Sequence, residues 1–176
     1  MRIIGGTLRG RQFDSPGGHK THPMNERMRG AMFNMLGDVS GLSVLDGYAG
    51  SGAVGFEALS HGARHVQFVE ADKKASDTIT RSIKELGVNN RAKVAMTNIE
   101  FWSKRNPELK YDLVLLDPPY DDVNLSTISL LSGHIKNKGL MVLSHPGREP
   151  APTVNGVVVV DNRSYGDAAL VYYRLS

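Results

Sequence analysis

The chain contains no cysteine, so disulfides and thiolate metal sites are excluded, and a reducing cytoplasm suits it. No apolar run approaches the ~20 residues that a membrane-spanning helix needs. The opening MRIIGGTLRGRQF lacks the apolar core of a secretory signal. Of six histidines only His61 and His65 stand four apart, and they flank Gly62 rather than share a helix face, so no zinc site is expected. Internal repeats and low-complexity tracts are also missing. These absences lead us to expect a soluble, cytoplasmic chain with no membrane partner. Its 176 residues match one domain, and a domain of that size buries roughly 70% of its unfolded surface without covalent staples.

The charge is uneven. Residues 1–30 hold Arg2, Arg9, Arg11, Lys20, Arg27 and Arg29 against Asp14 and Glu26, a net of +4. The other 146 residues carry 15 basic against 16 acidic side chains, a net of −1. A basic extension on a near-neutral body suits a polyanion, and a solvated face that binds nothing is the plain alternative.

The extension begins with RIIGGTLRGRQF, whose Gly5, Gly6 and Gly10 suggest a short hairpin or ribbon, and DSPGGHKTHP reads as a loop. Pro23 suits the first turn of a helix. From Met24 the apolar Met24, Met28, Ala31, Met32, Met35 and Leu36 recur at threes and fours until Gly37, which predicts an amphipathic helix with Arg27 and Arg29 away from the apolar stripe. Residues 1–37 are thus expected as a basic hairpin and helix, and 38–176 as the core.

In the core, short apolar runs at 42–46, 65–70, 93–96, 112–117 and 139–144 alternate with helical stretches at 53–61, 73–86, 98–104 and about 124–136. That alternation predicts a parallel α/β sheet covered on both faces. The last runs, 157–161 and 168–175, are joined only by NRSYGD, too short for a crossover helix, so an antiparallel hairpin is expected.

After the first run comes DGYAGSGAVGFEAL. Gly50, Gly52 and Gly55 have the G-x-G-x-x-G spacing, and Glu70 follows 20 residues after Gly50, where a carboxylate reaches ribose hydroxyls. The spacing alone suits a nicotinamide dinucleotide, or a bare strand-to-helix turn. Asp46 favours another cofactor. A dinucleotide would set its pyrophosphate beside this carboxylate at a helix N-terminus, whereas S-adenosylmethionine presents an ammonium and a sulfonium. A helix cap is the bland reading of Asp46. Asp46, Glu70, Thr97 to Ile99 and Asp117 all fall at strand ends, where open sheets of this kind bind ligands.

The most specific stretch is LLDPPYDD. Asp117 ends a run of Leu and Val, Pro118 and Pro119 stiffen the turn, and Tyr120 offers a flat face. Together they suit a planar group whose amine donates one hydrogen to the Asp117 carboxylate and one to the Pro118 carbonyl. A nucleobase amine held so directs its lone pair at the methyl donor. An ordinary strand-ending turn is the alternative.

With RIIGGTLRGR, ERMRGAMFNML, DGYAGSGAVGFEALSHGA, FVEAD, LDPPY and RSYGDAALVYYRL, the chain resembles nearly end to end the RsmD family, bacterial small-subunit ribosomal RNA (guanine-N2) methyltransferases. The resemblance implies the class I S-adenosylmethionine-dependent methyltransferase fold, a Rossmann-like, mostly parallel seven-stranded sheet with a C-terminal antiparallel hairpin. It implies Asp117, Pro118, Pro119 and Tyr120 as catalytic residues. It implies Asp46, Gly47, Tyr48, Ala49, Gly50, Ser51, Gly52, Glu70, Ala71, Asn98, Ile99 and Asp117 as cofactor-binding. Arg9, Arg11, Arg27 and Arg29 would hold the RNA, either 16S ribosomal RNA or a small-subunit assembly particle, and the chain would act as a monomer. It departs from the family at His22-Pro23-Met24, where Arg-Pro-Thr is usual, and at Gly47, where a larger residue is common. Asn98 stands for an acid, and its carbonyl is expected on the adenine amine; Ser144 stands for a Glu. A DNA adenine-N6 methyltransferase and a nicotinamide-dependent oxidoreductase remain as alternatives.

Overall fold

The computed structural model describes residues 1–17 and 24–176, so the expectations for Lys20, His22 and Pro23 lie outside the described residues. The strands are β1 (Ser43–Gly47), β2 (His65–Glu70), β3 (Ala92–Met96), β4 (Tyr111–Leu116), β5 (Ile135–Pro146), β6 (Val157–Tyr165) and β7 (Ala168–Leu175). The α-helices are α1 (Glu26–Leu36), α2 (Ala53–Ser60), α3 (Lys73–Leu86), α4 (Ile99–Arg105) and α5 (Leu125–Ser132). The strands form one sheet of order β3-β2-β1-β4-β5-β7-β6. The strands β1 to β5 run parallel, and β7 lies antiparallel between β5 and β6.

The sheet is buried on both sides, so β1 and β4 read as continuous apolar runs rather than alternating ones. Their alternate residues feed two cores. Val44, Phe68, Leu115, Val142 and Leu170 pack beneath α1, α2 and α3, and Leu45, Val114, Leu116, Leu143 and Val171 beneath α4 and α5. Among the described residues no helix is long and apolar enough to cross a membrane.

Three boundaries differ from expectation. The first helix begins at Glu26, because the Asn25 side chain accepts the Met28 N–H at 2.9 Å and caps it; Met24 stays outside the helix and is buried. Residues 135–136, expected in a helix, instead open β5, since α5 stops at Ser132 and Ile135 pairs with Tyr111. The tail hairpin is longer, with β6 reaching Tyr165 and only Gly166 and Asp167 in the turn; Gly166 has φ 77, which suits a two-residue connection.

The basic extension is not a free appendage. Its hairpin closes through the Arg2 and Gln12 bridge and lies across α2, all eight residues of which are buried. The carboxylate of Glu57, 0% exposed, accepts the N–H groups of Ile4 and Gly5 and the Nε–H of Arg29 at 3.0 Å. Arg29 is therefore no RNA-binding candidate: it is 0% exposed, and its guanidinium also donates to the Arg2 and Met24 carbonyls. An arginine inside an apolar face is tolerated only when its charge and its donors are met, and Glu57 meets them.

Candidate active site

The chain runs from β1 outward through β2 to β3, then returns to β4 on the other side of β1. Loops leaving β1 and β4 diverge there and open a crevice at the carboxyl ends of the strands. Side-chain alternation decides what fills it. Asp46 follows Val44 by two residues, Glu70 follows Phe68, Asp117 follows Leu115 and Ser144 follows Val142, so all four turn to the face beneath α1 and α2. Met24, Met32, Val54, Leu116 and Leu170 line the narrow pocket between Asp46 and Asp117.

The glycine loop is shaped by close approach. Gly52, with φ 78, starts α2, and Tyr48 adopts φ 67, a conformation seldom taken by residues other than glycine that marks local strain. Gly55 abuts the sheet so tightly that a Cβ would lie 2.2 Å from the Phe68 ring and 2.9 Å from Asp46 Oδ2. Asp46 Oδ2 accepts the Gly55 N–H at 2.9 Å. The cap reading of Asp46 is thus correct for one oxygen, while the carboxylate as a whole sits at the pocket wall. Glu70 accepts the Gly50 N–H at 2.7 Å and the Asp72 N–H at 2.8 Å, leaving lone pairs for hydroxyl donors. The β1 end is tight: a Cβ on Gly47 would lie 2.8 Å from the Leu116 side chain and 3.3 Å from Ile99. Ala49 and Ser51 are buried, Ala71 is exposed, and the Ala49 N–H bonds the Val69 carbonyl.

Asn98 departs from expectation. Its oxygen accepts the N–H groups of Glu100 and Phe101 and caps α4, so the carbonyl expected on an adenine amine is already committed to the helix.

Asp46 feels the charges of two other acids, Asp117 and Glu70. Burial pushes the Asp46 carboxyl well above its ordinary value; the Gly55 N–H opposes this, and the charges of Asp117 and Glu70 add to it. Burial raises Asp117 to about 6, and the Ser144 hydroxyl and Met24 backbone N–H pull it back. The neighbouring Pro118 is buried and Pro119 exposed. Tyr120 opens a 3₁₀ turn with its ring 40% exposed, and its hydroxyl lies 2.7 Å from Ser144 Oγ. Among the described residues no three His, Asp or Glu side chains are grouped to hold a metal ion. Carboxylates gathered this way suit an organic cation.

Of the expected RNA-binding arginines, Arg9, Arg11 and Arg27 are exposed, and Arg11 donates to the Glu85 carbonyl at the end of α3. Arg27 lies on α1 three residues past Met24, which lines the pocket. Met24 and Ser144, which the sequence marks as departures from the family pattern, also stand at the site: Met24 lines the pocket and Ser144 meets Tyr120.

This sheet order with an antiparallel β7, a glycine loop after β1 and D-P-P-Y after β4 defines the class I, Rossmann-like methyltransferase fold. Within it, the chain belongs to the RsmD family: the family described as Conserved hypothetical protein 95 matches residues 1–174. The protein named ribosomal RNA small subunit methyltransferase D of Haemophilus influenzae is 30% identical over 182 residues, covering 99% of this chain and 92% of that protein. A protein of the same name from Escherichia coli K12 is 32% identical over 158 residues, covering 88% and 79%. Among solved structures, the Escherichia coli protein yhhF has a TM-score of 0.89 at 28% identity over 100% of this chain and 98% of its own. A hypothetical protein from a Thermus species has a TM-score of 0.83 at 28% identity, covering 98% of each.

Proposed function

We propose that the chain transfers a methyl group from S-adenosylmethionine to the exocyclic N2 amine of a guanine in 16S ribosomal RNA. The observation that carries this reading is that Asp117, which opens the D-P-P-Y turn, shares one narrow pocket with Asp46, whose carboxyl also feels the charge of Glu70. Relatives named ribosomal RNA small subunit methyltransferase D, aligned along most of the chain, support ribosomal RNA as the acceptor.

The site fits a cationic donor, because the ionised form of Asp46, disfavoured by burial and by the charges of Asp117 and Glu70, is favoured by a positive charge and opposed further by a diphosphate. S-adenosylmethionine, when bound, supplies a methyl group activated by a positively charged sulfur. Asp46 and Asp117 balance that charge, and Glu70 holds the ribose hydroxyls with the lone pairs its two N–H donors leave over. On the acceptor side, the guanine must leave its stack to lie against Tyr120. The Asp117 carboxylate and the Pro118 carbonyl then accept the two amine hydrogens and aim the lone pair, a contribution of positioning. With its pKa near 6, Asp117 is ionised at neutral pH yet basic enough to take the released proton. Arg9, Arg11 and Arg27 hold the phosphate backbone, on small-subunit RNA or its assembly particle.

The test is a methylation assay with tritiated donor on small-subunit RNA and particles from cells lacking the activity, followed by nucleoside mass spectrometry. N2-methylguanosine is expected. Label confined to adenine, none in RNA, or calorimetric binding of NADH in place of S-adenosylhomocysteine would overturn the reading.

A further inference from the structure

We infer that Ser144 is a positioning residue for methyl transfer, one whose buried hydroxyl holds the Tyr120 ring beside the Asp117 carboxylate. The inference rests on the methyl-transfer reading and deepens it. Leu116 pairs with Leu143, so the next residues, Asp117 and Ser144, stand side by side where β4 and β5 leave the ladder. Ser144 is 1% exposed, and its Oγ lies 2.7 Å from the Tyr120 hydroxyl. The same hydroxyl is close enough to Asp117 to pull its carboxyl pKa down.

A tyrosine and a serine hydroxyl can each donate and accept, so this bond forms with either one as the donor. The aromatic face and the group that receives the substrate amine are thereby held in one register, although they belong to different parts of a turn. Without that tether, Tyr120 is a 40% exposed ring on a short 3₁₀ turn, free to rotate away. A base stacked on a mobile ring presents its amine to Asp117 for less of the time, and small misplacements are costly in rate.

A serine that only fills a buried position would predict something else. Its removal would weaken the fold and the cofactor site together and would leave the pH profile in place. The experiment compares wild type, Ser144→Ala, Tyr120→Phe and the double variant by steady-state methyl transfer to small-subunit RNA across pH 5 to 9. S-adenosylhomocysteine affinity by calorimetry and thermal melting run alongside. Each single variant should lower kcat/KM by about 3- to 10-fold, the effect of one neutral hydrogen bond, with cofactor affinity within about twofold of wild type. The double variant should lose no more than the worse single one, because both substitutions cut the same hydrogen bond. Ser144→Ala should also move the acid limb of the rate profile to higher pH, since the hydroxyl that pulls the Asp117 carboxyl down is gone. Losses that multiply in the double variant, an unshifted acid limb, or a parallel fall in cofactor affinity would overturn the inference. An active wild type with an indifferent Ser144→Ala sinks this inference alone; a wild type that methylates no RNA sinks the methyl-transfer reading with it. Tyr120→Phe cuts the same bond from the exposed side and keeps the test decisive if Ser144→Ala folds poorly.

Discussion

Asp117→Asn should make the protein more stable and far less active, and the two changes should be separable by pH. The fold holds this carboxyl with its pKa raised from 3.8 to about 6. A rise of about 2 on the pH scale is worth about 3 kcal/mol in favour of the neutral form. Below about pH 4 the group is neutral in folded and unfolded chains alike, and it adds no pH-dependent cost. As pH climbs from 3.8 to 6, the unfolded chain releases its proton while the folded chain keeps it, so stability falls. Above about 6 the cost is fully present. Asparagine carries no charge and escapes it, giving up part of the gain because the hydrogen bonds from Ser144 and the Met24 N–H weaken. The net gain should be about 1–3 kcal/mol at pH 8, shrinking toward zero by pH 4. For a chain this long that is about 2–10 °C in melting temperature at pH 8. Thermal or urea denaturation of both proteins at pH 4.5, 6 and 8, without cofactor, reads it directly. Methyl transfer by the same preparation should fall at least ~10- to ~100-fold, the value of a charged hydrogen bond. An Asn variant less stable than wild type at pH 8, or a stability difference that ignores pH, would refute the electrostatic account of the crevice.

Gly55→Ala should destabilise the fold by about 1–3 kcal/mol in urea titrations and weaken S-adenosylhomocysteine binding, because the new methyl meets the Phe68 ring at 2.2 Å and Asp46 at 2.9 Å. Glu57→Ala should cost about 3–5 kcal/mol by stranding the buried Arg29, and limited proteolysis should then open the chain within residues 1–13. Arg27→Ala should leave the melting temperature within about 1 °C of wild type, while RNA affinity falls and the slope of log K against log salt lessens by about 0.9 if the contact is to duplex phosphate. Arg29→Ala should behave in the opposite way, losing stability first.

Much of this was legible in one dimension. Short runs such as LSVLD and DLVLLD, spaced by helical stretches, imply a parallel sheet covered on both faces, since only strands buried on two sides read as unbroken apolar runs. A six-residue gap before AALVYYRL leaves room for a hairpin and for no helix, so the antiparallel ending follows from chain length. Asp46, Glu70 and Asp117 could be placed at one edge because each closes a strand. Local chemistry of this kind depends on neighbours along the chain.

What the linear pattern left open were contacts between residues far apart. Arg29 occupies a helix position that looks solvated, and only the arrival of Glu57, 28 residues later, makes its burial tolerable. Asn98 was legible as a polar strand end, but a cap and a ligand contact compete for one oxygen, and α4 takes it. Ser144 was legible only as a departure from the family's Glu; β4 and β5 had to pair before its hydroxyl met Tyr120, 24 residues away. The sequence by itself therefore determined the elements, their order and the acidic edge, because these follow from periodicity and turn chemistry. The tertiary structure alone decided which polar groups satisfy one another, because a buried charge or hydroxyl is stable only beside a partner that folding brings to it.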